Sequence, residues 1–258
     1  MIVTKLPWAG VKVEIGTTRI AIDPLYNFPP RYERSHEPLY PLDVFGKVDA
    51  VLITHHHPDH FDPEAIARFY GEEIPVYLPV ESLKLIGDTP LKQLYGMELG
   101  QSIRIGSAKA IAVFAMDGFG DPQVSWVVEG GGKRLIHGGD TLWHGHWWNI
   151  KSVHGPFDIA CMPVNAAIVE FRGNPPSGQP ITLGPEQAVA AAYVLGAKTL
   201  LPIHYRTIHQ PPLYCETPDL PERLHASAAE RGIKLALLDT HDSLDLSGDA
   251  EAIEQVRQ

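Results

Sequence analysis

Cysteine is nearly missing from this chain: Cys161 and Cys215 are the only two in 258 residues. Two are too few for a disulfide framework. Cys161 lies in the apolar run Asp158-Ile159-Ala160-Cys161-Met162, where a thiol packs rather than reacts. Basic residues are short as well, 21 Lys and Arg against 31 Asp and Glu, a net charge of −10. That balance disfavours a nucleic-acid partner held by surface charge. No apolar run approaches the roughly 18 residues a membrane helix needs, and Met1 to Trp8 lack the parts of a secretory signal. A cytoplasmic location without a membrane partner is therefore expected. There is no Gly-x-Ser-x-Gly elbow, which removes a common serine-hydrolase route. Internal repeats and linkers are lacking too, so residues 1–258 read as a single domain.

What is present begins with alternation. Val11, Val13 and Ile15 alternate with Lys12 and Glu14, turn at Gly16, and return through Arg19 to Asp23 as a hairpin. Residues 24–47 are rich in Pro and Tyr, without periodicity, and predict a long loop. A strand is expected at 49–53, a helix at 63–70, a strand at 76–78 and a helix at 80–86. Strands 102–105 and 108–115 form a hairpin, and strands 125–129 and 134–137 form another about Gly130-Gly131-Gly132. A buried strand at 159–164, an irregular stretch at 170–181, a helix at 185–195 and a strand at 199–203 follow. A helix at 221–231 and a strand at 234–238 close the chain. This order predicts two sheets packed face to face with helices outside.

The densest chemistry is Thr54-His55-His56-His57-Pro58-Asp59-His60, between the strand at 49–53 and a helix start at Asp62-Pro63. In extended chain His55 and His57 point the same way and can share one ion, while His56 faces elsewhere. Asp59 and His60 come a turn later, placed for a second ion. Neutral imidazole with carboxylate suits zinc, and also manganese or iron. The rival account is a histidine-rich surface loop. Two later strand ends add donors: Asp140 after Gly138-Gly139, and His204 after Thr199 to Ile203. Asp140 can offer one oxygen to each of two ions; a turn aspartate capping its own backbone is the competing account.

His55-x-His57-x-Asp59-His60, Gly139-Asp140-Thr141 and Pro202-Ile203-His204-Tyr205 together resemble the metallo-β-lactamase superfamily. Within it the chain resembles the branch of phosphodiesterase-like and sugar-lactone hydrolases. Ile22-Asp23-Pro24, Gly155 to Ala160 and Gly184 to Ala188 support the match, which spans roughly residues 6 to 240. The resemblance implies an α+β fold, a four-layer αββα sandwich. It implies one ion on His55 and His57, a second on Asp59, His60 and His204, and Asp140 bridging. Two departures stand out. Asp117, in Ala115-Met116-Asp117, occupies the place of the family's third histidine. It serves either as a carboxylate ligand or as the mark of a weakened first site. Trp8-Ala9-Gly10 stands where the family often has Gly-His or Gly-Gln.

Two divalent ions sharing a water would generate a hydroxide near neutral pH. The expected activity is metal-dependent hydrolysis of a small ester, lactone or phosphodiester, with Asp59 orienting the nucleophile or passing a proton. A nucleic-acid phosphodiesterase and a catalytically degraded binding or assembly domain, including a homo-oligomer, are the alternatives. Asp23 reads either as an acceptor for a ligand imidazole N–H or as a turn residue. Leu142 to Asn149 hold three tryptophans with His144 and His146, read either as a pocket wall or as edge packing. His144, His146, Tyr205 and His209 are the candidate substrate contacts.

Overall fold

The computed structural model describes residues 1–247. Its strands in chain order are β1 (Ile2–Lys5), β2 (Val11–Ile15), β3 (Thr18–Ile22), β4 (Ala50–Leu52), β5 (Val76–Pro79) and β6 (Leu94–Met97). Then come β7 (Ser102–Ile105), β8 (Ala108–Phe114), β9 (Val124–Gly130), β10 (Lys133–His137) and β11 (Ile159–Pro163). The last are β12 (Ile168–Val169), β13 (Thr199–Ile203), β14 (Tyr214–Cys215), β15 (Lys234–Leu235) and β16 (Ser243–Asp245). The α-helices are α1 (Pro63–Tyr70), α2 (Trp147–His154), α3 (Pro185–Leu195) and α4 (Leu220–Arg231).

Two seven-stranded sheets carry the fold, in the orders β16-β1-β2-β3-β4-β5-β6 and β15-β13-β11-β10-β9-β8-β7, with β12 and β14 as a separate ribbon. Each sheet is half antiparallel and half parallel. In the first, β3 to β6 run parallel; in the second, β10, β11, β13 and β15 do. Both faces of each sheet are covered, and the period of two sorts the side chains between layers. Ala110, Ala112, Trp126, Val128 and Leu135 join Val13, Ile20, Ile22 and Leu52 in the core between the sheets. Their alternates Ile111, Val127 and Ile136 pack outward with Trp147, Ala188, Val189 and Leu224. Val51, Ile53 and Val76 meet Ala65 and Ile66 of α1 on the other outside. The result is the expected α+β sandwich, helices outside two mixed sheets.

Local signals explain most elements. The Asp62 carboxylate caps α1 by accepting from Ala65 N at 3.1 Å, with Pro63 in the first turn. The same carboxylate accepts from Tyr26 N and Asn27 N, at 3.1 and 2.7 Å, and so ties down the long loop that follows β3. Two expectations need correction. Residues 80–86 are not an α-helix; Val80–Lys84 form a short 3-10 turn, without a side-chain cap, beside the close approach of Gly96 to Val80. Helix α2 takes up the end of the aromatic segment Leu142 to Asn149, for which the sequence reading gives no helix; Trp147 and Ile150, one turn apart, supply its buried face. Among the described residues no helix is long and apolar enough to cross a membrane.

Candidate metal centre

The chemistry collects where several strands end. Strands β4, β10, β11 and β13 deliver their following residues to one edge of the sandwich, and β8 runs in the same direction as β10 because both pair antiparallel with β9. Residues past these strand ends are His55 to His60, Asp117, Asp140, Asn165 and His204. Carboxyl ends of parallel strands are the usual binding edge of such sheets. Gly139 is required beside Asp140: its φ is +60°, and a Cβ there would sit 2.8 Å from Thr54 Cβ.

Two groups of donors result. Asp59, His60, Asp140 and His204 form one, and His55, His57 and Asp117 the other, each with ligand atoms within 4.8 Å of one another. His57 also lies with His56 and Asp121 in a third, outer group. Asp140 stands between the first two: its Oδ1 is 3.0 Å from His60 Nε2, and its Oδ2 is 2.9 Å from His204 Nε2 and 3.9 Å from His55 Nε2. His57 Nδ1 lies 4.0 Å from Asp117 Oδ2.

The remaining ring nitrogens are held from behind. His60 Nδ1 is 2.9 Å from Asp23 Oδ2, which also accepts from Thr54 Oγ1 at 2.6 Å. With its one hydrogen on Asp23, Thr54 Oγ1 accepts from His55 Nδ1 at 3.0 Å. His204 Nδ1 donates to Asn165 Oδ1 at 3.2 Å, and His57 Nε2 donates to Asp121 Oδ2 at 2.9 Å. Each imidazole is thereby set in the tautomer that leaves its other nitrogen bare toward the cluster. Among the described residues, His55 Nε2, His60 Nε2, His204 Nε2 and Asp140 Oδ1 are buried without a hydrogen-bond partner. Each such orphan costs roughly 1–3 kcal/mol, and cations held by the two donor groups would satisfy all four. The donor set fits divalent metal.

The carboxylates make this a place that favours positive charge. Burial opposes charge on His60, yet Asp140 and Asp59 outweigh it and hold its pKa well above the ordinary imidazole value. Burial likewise opposes ionisation of Asp140, but His204 and His60 hold that carboxyl well below its usual range. Asp59 is depressed as well, because His60 and His204 outweigh its burial. His55 is pushed well down, by burial first and by the neighbouring His60. Burial raises Asp117, with His57 pulling against it.

The N-terminal loop forms the floor. Trp8 Nε1 donates to Asp59 Oδ2 at 3.1 Å, and the Trp8 ring lies 3.9 Å from the His204 ring. Buried Lys5 donates to the carbonyls of Leu6 and Trp8 and holds this loop in place. A cavity of about 410 Å³ opens above, lined by His57, Asp59 and Asp140 together with residues of the long loop and of the 170–181 stretch.

His55, His57, Asp59, His60, Asp117, Asp140 and His204 thus come together. His144, His146, Tyr205 and His209 do not line this cavity. Helix α2 carries its segment away: His144 stacks on buried Trp147 at 3.9 Å, and with His146 lines a separate cavity of about 500 Å³. Tyr205 is buried among the residues beneath α3 and α4, and His209 Nδ1 accepts from Glu216 N at 3.2 Å. Thr54, Asn165 and Asp121 were missed from the sequence. Thr54 adjoins the histidine run and Asn165 follows a buried strand, but neither position by itself names a partner.

A joint sheet edge bearing buried histidines and carboxylates defines a metal-dependent hydrolase. The chain belongs to the metallo-β-lactamase superfamily: the family described as the beta-lactamase superfamily domain matches residues 18–205. A UPF0173 metal-dependent hydrolase of Thermus thermophilus is 30% identical over 241 residues, covering 88% of this chain and 90% of that protein. One from Halobacterium salinarum is 27% identical over 267 residues, covering 94% and 98%. Among solved structures, the metallo hydrolase Igni18 of Ignicoccus hospitalis superposes with a TM-score of 0.69 at 21% identity, covering 94% of this chain and 97% of its own.

Proposed function

We propose that this chain acts as one domain, in the cytoplasm, to hydrolyse a small ester, lactone or phosphodiester with two divalent ions. His55, His57 and Asp117 would hold one ion, Asp59, His60 and His204 the other, with Asp140 shared. The observation that carries this is the convergence of three bare imidazole nitrogens, two from the run after β4 and one from the end of β13, on the Asp140 carboxylate beneath a small-molecule-sized cavity. Bound there, such ions supply a water acidified toward neutrality and an electrophilic contact for the attacked oxygen. Zinc is our assignment; Asp117, harder than imidazole, makes the first position the one where manganese or iron competes best.

The chain's own groups do the rest. Asp59, kept ionised by its histidine neighbours and fixed by Trp8, accepts a proton and returns it to the leaving alcohol. Water thus adds its oxygen to the acyl or phosphoryl group and a proton to the departing oxygen. Asp140 keeps the two donor groups in register. A nucleic-acid substrate is disfavoured by the net charge of −10 and by a cavity lined, among the described residues, by a single Arg and no Lys.

Metal analysis with lactone and bis(p-nitrophenyl) phosphate panels tests the proposal. Wild-type protein should bind two ions and turn over in a chelator-sensitive way. Asp140→Ala should lose metal and more than about 100-fold in rate, with its circular dichroism unchanged. Wild-type rates in that variant, or turnover indifferent to chelators, would sink the assignment.

A further inference from the structure

The cavity above the ligand clusters contains one cation among carboxylates. Among the described residues Arg31 is the sole Lys or Arg lining it, against Asp59, Asp121 and Asp140. Asp59 and Asp140 belong to the donor groups, and Asp121 is bound to His57. Arg31 touches Tyr32 and lies over the Phe171 ring, but pairs with no described carboxylate.

A ladder of rings joins this cation to the metal end. His57 meets Phe119 edge-on, with centroids 5.8 Å apart, and Phe119 stacks on Phe171 at 5.6 Å and 23°. The Arg31 guanidinium sits 4.9 Å from the Phe171 centroid. Phe119 is 48% exposed although it lines a cavity, so it offers apolar surface to a ligand. Stacking holds a guanidinium plane while leaving its N–H edge free for a bidentate anion. One guanidinium balances one negative charge. A phosphate's second charge would lie in a cavity whose other charged lining is carboxylate and histidine.

We propose that the substrate is an amphiphilic monoanion: an ester or lactone group at the metal end, an apolar segment along Phe119 and Phe171, and a carboxylate paired with Arg31. This rests on the hydrolase assignment above and names the substrate class of that same site. Arg31 then sets specificity and takes no part in bond breaking.

The test compares p-nitrophenyl monoesters of straight-chain dicarboxylic acids with esters of monocarboxylic acids of equal length. Wild-type kcat/KM should favour the dicarboxylate series by about tenfold or more at one chain length, through KM. Arg31→Met should erase that preference by raising KM for the dicarboxylate series, with Tm unchanged. No preference in the wild type, or the same preference in Arg31→Met, overturns the proposal. Hydrolysis of neither series would count against the hydrolase assignment itself. Calorimetric titration of both proteins with free dicarboxylates and monocarboxylates then decides the Arg31 question. An Arg31-dependent tenfold preference upholds it, and equal binding overturns it.

Discussion

The Asp23 carboxylate lies 2.9 Å from His60 Nδ1 and, through the Thr54 hydroxyl, also serves His55. One fully buried acid therefore orients imidazoles belonging to both donor groups. Removing its charge should weaken metal binding although Asp23 ligates nothing. Asp23→Asn is expected to lower metal affinity about 10- to 100-fold, measured by competition with a chromogenic chelator. Wild-type affinity in this variant would assign Asp23 to packing alone.

Trp8 holds Asp59 by a single hydrogen bond and covers the His204 ring. Trp8→Phe keeps most of the apolar contact and deletes the N–H. A hydrogen bond to a charged group contributes roughly 1.5–3 kcal/mol, so kcat should fall about tenfold or more while metal content stays constant. Equal loss of metal and rate would place Trp8 in the ligand framework instead.

Asp117 is the carboxylate of the donor group that holds His55 and His57. Its Oδ1 accepts from Phe119 N at 2.7 Å and from Asp121 N at 3.2 Å, which leaves Oδ2 toward His57. Asp117→His should shift the metal preference toward zinc over manganese, read as the ratio bound from an equimolar mixture. An unchanged ratio would remove Asp117 from the ligand set.

Lys5 is buried and its pKa is lowered to about 7, chiefly by desolvation, with Glu37 pulling it back. The unfolded chain keeps this proton up to the ordinary value of 10.5. Between those limits the unfolded state binds more protons, so this group's contribution to stability rises with pH. Below about pH 7 both states are protonated and the burial cost is felt in full. The stability of Lys5→Met relative to wild type should therefore be greatest near pH 6 and shrink by on the order of 2 kcal/mol by pH 9. Chemical denaturation at several pH values checks the slope. A flat difference would show that the two carbonyl acceptors compensate the charge.

Much of the centre was legible because it is local. The run His55 to His60 sits between a strand and a capped helix, so its geometry follows from the backbone alone. Asp140 and His204 announce themselves as acid and imidazole at the ends of apolar strands. His144 and His146 misled for a matching reason. Adjacency to Asp140 suggests a shared pocket, but they lie just before α2, whose buried Trp147 stacks on His144, and they line a separate cavity.

From residue order and type alone come the donor set, the alternation that buries both faces of each sheet, and the turns that join the hairpins. Tertiary structure decided which strand ends become neighbours, since the crossovers place β10, β11 and β13 side by side although their sequences lie far apart. It also decided that Asp23 and Asn165 stand behind the imidazoles and that Arg31 closes a ladder of rings. Side-chain periodicity specifies a face and never a partner; partners follow from sheet order, which long-range burial sets.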